Sequence, residues 1–168
     1  LNDDSILGFL TKRALATELP VYILTSDDKS DDLIENESKK YQISGIIRGS
    51  ETDVISRYFA LQKKTNANII IRVTADNPLT DFRFIPLLTK YLLENNLNYA
   101  TIDNNLCIEG SNIEVFTKNI LSESYIKDQT LVNKENVTTF MKRKSPKNYQ
   151  MKTFLQTERI LRNHIKKY

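Results

Sequence analysis

Three short polar stretches follow apolar runs and carry the residue types that phosphate and metal chemistry requires. They are residues 25–28 (Thr25, Ser26, Asp27, Asp28), residues 48–53 (Arg48, Gly49, Ser50, Glu51, Thr52, Asp53) and residues 72–79 (Arg72 through Asp76, Asn77, Pro78 and Leu79). Gly49 permits a tight turn, and the amides after such a turn can face an anion. Arginine forks hold phosphate oxygens, while carboxylate oxygens suit a hard cation. Taken singly, each stretch also has a purely structural reading. Asp76-Asn77-Pro78 is turn chemistry, and Ser50 and Asp53 are helix caps. On one rim they would form a site for a phosphorylated ligand and its metal ion.

Other chemistries are poorly supplied. Cys107 is the only cysteine and His164 the only histidine. No intramolecular disulfide and no cysteine-based zinc site can form, and histidine-dependent nucleophilic catalysis would have to run through one residue. The sequence contains neither G-x-x-x-x-G-K-[ST] nor G-x-G-x-x-G. P-loop and Rossmann readings therefore lose most of their weight.

The elements that must position these stretches follow from the apolar periodicity. Residues 20–26 (PVYILTS), 45–48 (GIIR) and 68–74 (NIIIRVT) read as buried strands. Residues 97–102 and 112–116 are weaker strands, and the alternation in the last predicts one wetter face. Helices are predicted over roughly 5–17, 31–41, 50–65, 83–95, 117–127, 133–143 and 157–167. Ser50 to Asp53 looks like a capping box for the third, and Pro86 falls in the first turn of the fourth. Strands alternating with such helices imply an α/β fold: a three-layer αβα sandwich with a mostly parallel sheet. In such sheets ligands bind beyond the carboxyl ends of the strands, where the three polar stretches lie.

The chain has 168 residues, 40% hydrophobic and 27% charged, a composition for one globular domain over residues 1–168. Its net charge of +3 is uneven. Residues 141–168 hold nine Lys or Arg against Glu158 alone, so this basic region carries +8 and the rest −5. No aromatic residues interleave with these bases in the manner of a single-strand stacking platform, so a nucleic-acid partner is not indicated. No apolar run approaches the roughly 20 residues that span a bilayer, which excludes membrane insertion by a helix. The cysteine usage and the lack of a signal peptide lead to an expectation of a cytoplasmic protein.

Residues 48–54 (RGSETDV) followed by Arg57 and Tyr58, and then residues 72–79 (RVTADNPL), resemble the cytidylyltransferase family. That family includes SpsF-type spore-coat polysaccharide proteins and the CMP-sialic acid and CMP-Kdo synthetases. Thr25-Ser26-Asp27 with Asp31-Asp32, residues 110–116 (GSNIEVF) and residues 135–138 (ENVT) match further family motifs in the same order. The resemblance covers about residues 5–140. It implies a glycosyltransferase-A-like nucleotidyltransferase fold that activates a sugar by transfer of CMP from CTP, with Mg²⁺, for surface polysaccharide or glycan synthesis.

In this family reading Asp76 and Glu114 are the catalytic carboxylates and the metal ligands. Thr25, Ser26, Arg48, Asp53 and Asp76 hold the nucleotide, and Asn77, Gly110, Asn112 and Glu135 meet the sugar, which the reading allows to be acidic. Arg72 either joins them or only braces its loop through an ion pair. A carboxylate serving only a metal should tolerate neutralisation with little effect on stability. The reading leaves room for a homodimer.

Where the family has Asp in G-L-D-V-E this sequence has Asn112, and where it has His in E-H-V-T it has Asn136. The sequence starts after the point where the family's phosphate-gripping loop would end, so its first strand is expected to be missing and the 168-residue chain alone to be inactive. Two alternatives stand beside this reading: a non-catalytic nucleotide- or sugar-binding domain of the same fold, and a glycosyltransferase, which would need an acidic D-x-D pair.

Overall fold

The computed structural model describes residues 4–102 and 111–145. Cys107, Gly110, His164, the predicted helix at 157–167 and most of the basic region lie outside these. The chain runs α1 (Ile6–Leu15), β1 (Tyr22–Ser26), a 3-10 turn (Lys29–Asp31), α2 (Asp32–Ser38), β2 (Gly45–Gly49), α3 (Val54–Thr65), β3 (Ile69–Arg72) and α4 (Phe84–Glu94). It continues through β4 (Tyr99–Thr101), β5 (Glu114–Thr117), α5 (Lys118–Lys127), α6 (Leu131–Asn136) and α7 (Thr139–Lys144).

β1 and β2 pair in parallel, from Tyr22 opposite Gly45 to Ser26 opposite Gly49. β5 lies between β3 and β4 and is antiparallel to both. The carboxyl ends of β3 and β4 therefore meet the amino end of β5, with Arg72 and Thr101 both in register with Glu114. The wetter face expected for β5 does not exist. Glu114, Val115 and Phe116 are all buried, because a central strand is flanked by neighbours on both edges and covered on both faces.

The period of two divides this sheet's side chains cleanly. Ile70, Tyr99 and Phe116 face one way and pack with Ile55 of α3, Ile120 and Leu121 of α5, Val137, and Phe140 and Met141 of α7. Ala100 and Val115 face the other way and pack with Ile85, Leu88 and Leu92 of α4, with Ile102 and Ile113 from the strand flanks in the same cluster. These are the three layers. Glu114 and Arg72 share the parity of Phe116 and Ile70, so they fall on the α3/α7 face at the rim of an apolar cluster.

Two local departures bear on the rim. α3 starts at Val54, one turn later than Ser50 suggests. Asp53 is its cap, accepting from the Ser56 amide at 3.1 Å, while Ser50 Oγ accepts from the Asp53 amide at 3.0 Å. The single helix predicted at 133–143 is two, broken at Val137, whose φ of 62° is unusual for a β-branched residue. That reversal drives the Val137 side chain into the core and turns the Thr138 hydroxyl onto Glu114.

Candidate functional site

The rim formed by the ends of β3, β4 and β5 is built around Glu114. Its Oε2 receives Arg72 Nη1 at 2.5 Å. Its Oε1 receives the Tyr99 hydroxyl at 2.9 Å, the Thr138 hydroxyl at 2.8 Å and Lys142 Nζ at 2.9 Å. Burial pushes the Glu114 carboxyl up, but Arg72, Lys142 and the Thr138 hydroxyl outweigh it and hold the carboxyl below its ordinary value. Burial, reinforced by the charge of Glu114, pushes the Tyr99 phenol up.

Glu114 is the residue expected as a catalytic carboxylate and second metal ligand. Both oxygens are taken by donors, two of them cationic. A metal ion would have to displace Arg72 or Lys142 and sit beside the remaining positive charge. Of the two readings left open for Arg72, the brace is what the geometry displays.

Asp76 is placed differently. It is exposed, and its carboxylate makes no hydrogen bond or ion pair among the described residues. Its loop is nonetheless ordered. The Asn77 amide donates to Thr74 O at 3.1 Å, Asn77 Nδ2 donates to Thr74 Oγ1, and Thr80 Oγ1 donates to Asn77 O at 2.8 Å. From outside, Arg13 of α1 clamps the same loop. Its Nη1 donates to Pro78 O at 2.5 Å and its Nη2 to Thr80 O at 2.7 Å. The Arg13 guanidinium lies 5.4 Å from the ring centres of both Phe9 and Phe82. Sequence reasoning missed Arg13. The one local signal was an aromatic and an arginine at i and i+4 on the first helix.

At the ends of β1 and β2 the predicted nucleotide ligands are spent on the fold. Thr25 Oγ1 donates to Asp31 at 2.6 Å, and the Ser26 amide donates to the same carboxylate at 2.9 Å. Arg48 donates to Ser26 O, Asp28 O, Asp32 and Glu35 at 2.6–2.8 Å. It therefore ties the two strand ends to α2. Asp53 caps α3 and lies 3.8 Å from Lys134 Nζ. Its partly buried oxygens are engaged, so it acts here on the protein.

The expected sugar contacts are scattered. Asn77 sits in the Asp76 loop. Asn112 Oδ1 accepts from Thr101 Oγ1 at 2.8 Å, and its Nδ2 donates to Ile102 O at 3.2 Å, bridging β4 to the segment before β5. Glu135 is exposed on α6, beside Asn136, whose Nδ2 donates to Val132 O at 3.0 Å. Gly110 lies outside the described residues.

As a metal centre, this donor set fits one carboxylate and not two. No group of three or more His, Cys, Asp or Glu side chains converges among the described residues. Mg²⁺ is commonly held by one or two carboxylates with substrate phosphates and waters filling the rest. Asp76 has an open carboxylate at the end of β3 that suits that mode.

An αβα sandwich with polar loops at the carboxyl ends of its strands belongs to the nucleotidyltransferase-like class of folds. Within that class the chain belongs to the cytidylyltransferase family, whose model matches residues 1–168. A cytidylyltransferase from Leptospira borgpetersenii superposes with a TM-score of 0.76 at 28% identity, covering 86% of this chain and 62% of that one. An uncharacterized protein of Methanocaldococcus jannaschii is 31% identical over 143 residues, 84% of this chain and 58% of that one. The spore coat polysaccharide biosynthesis protein SpsF of Bacillus subtilis is 32% identical over 82 residues, 49% of this chain and 34% of that one. The chain thus spans less than two thirds of the length of each of these proteins.

Proposed function

We propose that this chain is the nucleotide-using part of a cytidylyltransferase that activates a sugar for surface polysaccharide synthesis. The observation that carries the reading is family membership over residues 1–168. An ordered loop at the end of β3 that presents Asp76 to solvent supports it. The SpsF relative supports the polysaccharide context.

In the reaction a sugar oxygen forms a bond to the α-phosphorus of CTP. The bond from that phosphorus to the bridging oxygen of the β-phosphate breaks, and pyrophosphate leaves with the electron pair. Bound Mg²⁺ would neutralise charge developing on the phosphate oxygens. Asp76 is the residue that would hold it. The Arg13 clamp fixes the Asp76 loop, so the carboxylate need not be ordered when the ligand arrives. Arg48, Thr25 and Ser26 shape the β1–β2 end of the pocket through the bonds described above. Glu114 braces the floor by holding Arg72 and Lys142 to one point. Asn77 and Asn112 supply neutral hydrogen-bonding groups beside the reacting sugar.

Among the described residues no helix is long and apolar enough to cross a membrane. We place the reaction in the cytoplasm, where CTP is available.

The test is direct. The full-length protein that contains this chain is incubated with CTP, Mg²⁺ and a panel of neutral and acidic sugars, and CMP-sugar and pyrophosphate are followed by mass spectrometry and a coupled assay. Formation of a CMP-sugar with stoichiometric pyrophosphate supports the reading. No CMP-sugar from any acceptor, with no CTP binding in calorimetry, overturns it.

A further inference from the structure

Arg57 is a largely buried residue whose Nε meets no acceptor in the described fold. It lies on the first turn of α3, and only 9% of the residue is exposed. Its Nε is buried without a hydrogen-bond acceptor, and the side chain makes no hydrogen bond or ion pair among the described residues. The other buried charges on this rim, Arg72 and Glu114, pair with each other. Leaving that buried Arg57 Nε–H without an acceptor is costly, because its desolvation is not offset.

The position of Arg57 explains what it waits for. Its stem crosses Gly49 at the carboxyl end of β2. A Cβ on Gly49 would stand 3.1 Å from Arg57 Cγ and 3.8 Å from Cδ, so that glycine leaves the channel through which the side chain runs. Tyr58, the next residue on α3, packs edge-on to Phe116 of β5 with ring centres 6.2 Å apart. Arg57 therefore sits beside the carboxyl end of β2, on a helix that also packs against the β3–β5 sheet, at the kind of strand end where α/β folds bind ligands. The expected ligand Arg48 is consumed by Asp32 and Glu35, and Asp53 lies near Lys134, so neither supplies the missing partner.

We propose that Arg57 is a binding residue for a substrate oxyanion, pairing its guanidinium with a phosphate group of the nucleotide at the turn formed by residues 49–53. This rests on the cytidylyltransferase reading and adds a residue to it. A guanidinium presents a planar fork to phosphate oxygens, which a lysine cannot reproduce. A carboxylate of an acidic sugar offers a similar edge, so the titrations separate the two sources.

The experiment compares the parental protein with Arg57→Met and Arg57→Lys. Each is titrated calorimetrically with CTP, with pyrophosphate and with a sugar acid, and its unfolding is measured without ligand. Arg57→Met should weaken CTP and pyrophosphate by about ten- to hundredfold. Its ligand-free stability should be unchanged or higher, since a buried N–H without an acceptor has been removed. Arg57→Lys should recover part of the affinity. Loss of affinity for the sugar acid alone would move the oxyanion from the nucleotide to the acceptor and overturn the phosphate assignment. Parental affinity in both variants would overturn the inference, and so would loss of stability in Arg57→Met with parental affinity in Arg57→Lys. If the parental protein binds CTP and the Met variant binds it equally, this inference fails alone. If the parental protein binds no CTP, the functional reading fails first, and the pyrophosphate titration still decides the role of Arg57.

Discussion

Arg72 and Glu114 face each other across the β3–β5 ladder, in register, with Nη1 and Oε2 2.5 Å apart. The pair closes the carboxyl-end rim and fixes the character of the site. A carboxylate that reads as a metal ligand in the sequence is instead the acceptor for two cations and two hydroxyls.

Glu114→Gln separates the two roles. As a metal ligand, Glu114 could be neutralised with little effect on the ligand-free protein. As the partner of a mostly buried Arg72, its neutralisation leaves a guanidinium without compensation, at about 3 kcal/mol of stability. Lys142 is half exposed and adds little to this. Urea unfolding of both proteins measures the difference, and a change under about 0.5 kcal/mol would remove the brace role.

The same pair governs acid stability. Burial pushes the Glu114 carboxyl up, but Arg72 and Lys142 bring it below its ordinary value in the folded chain. Its contribution is therefore fully present above the unfolded carboxyl pKa, about 4.3. It is lost as the pH falls through the lowered folded value. Unfolding free energies from pH 7 to pH 3 should fall more steeply in the parental protein than in Glu114→Gln. Parallel curves would contradict the linkage.

Asp76→Asn should do the opposite of Glu114→Gln. The side chain is exposed and unpaired, so stability should move by no more than about 0.5 kcal/mol. CTP affinity should lose its dependence on Mg²⁺, and turnover should fall by about a hundredfold or more, near 3 kcal/mol. Calorimetry with and without Mg²⁺ is the check. An Mg²⁺-dependent affinity that survives the substitution would take the metal away from Asp76.

Arg13 should act on Asp76 at a distance. Arg13→Lys keeps the charge and cannot donate to Pro78 O and Thr80 O with one planar fork. Hydrogen exchange at residues 77–80 should accelerate, with a stability loss of about 1–2 kcal/mol. CTP affinity in Mg²⁺ should weaken while affinity without metal is kept. Unchanged exchange in the loop would show that the clamp does not order it.

What could be read from the sequence was local. The run NIIIRVT announces a buried strand through its β-branched residues, and Asp76-Asn77-Pro78 announces the turn after it. Asp53 and Ser50 signal a helix start within one turn of α3. The motifs carried the family because their order along the chain is a property of sequence. The tertiary structure alone decided which polar residues remain free for a ligand. Glu114 meets partners 42, 24 and 15 residues away, and Arg48 meets Asp32 and Glu35 across a strand pairing. No periodicity encodes those meetings: those of Glu114 depend on β5 entering antiparallel between β3 and β4, and those of Arg48 on β1 pairing with β2. Among the described residues, packing leaves Arg57 Nε without an acceptor and the Asp76 carboxylate open. A carboxylate or guanidinium is available for chemistry only if its lone pairs or protons are unspent, and that accounting is made by packing.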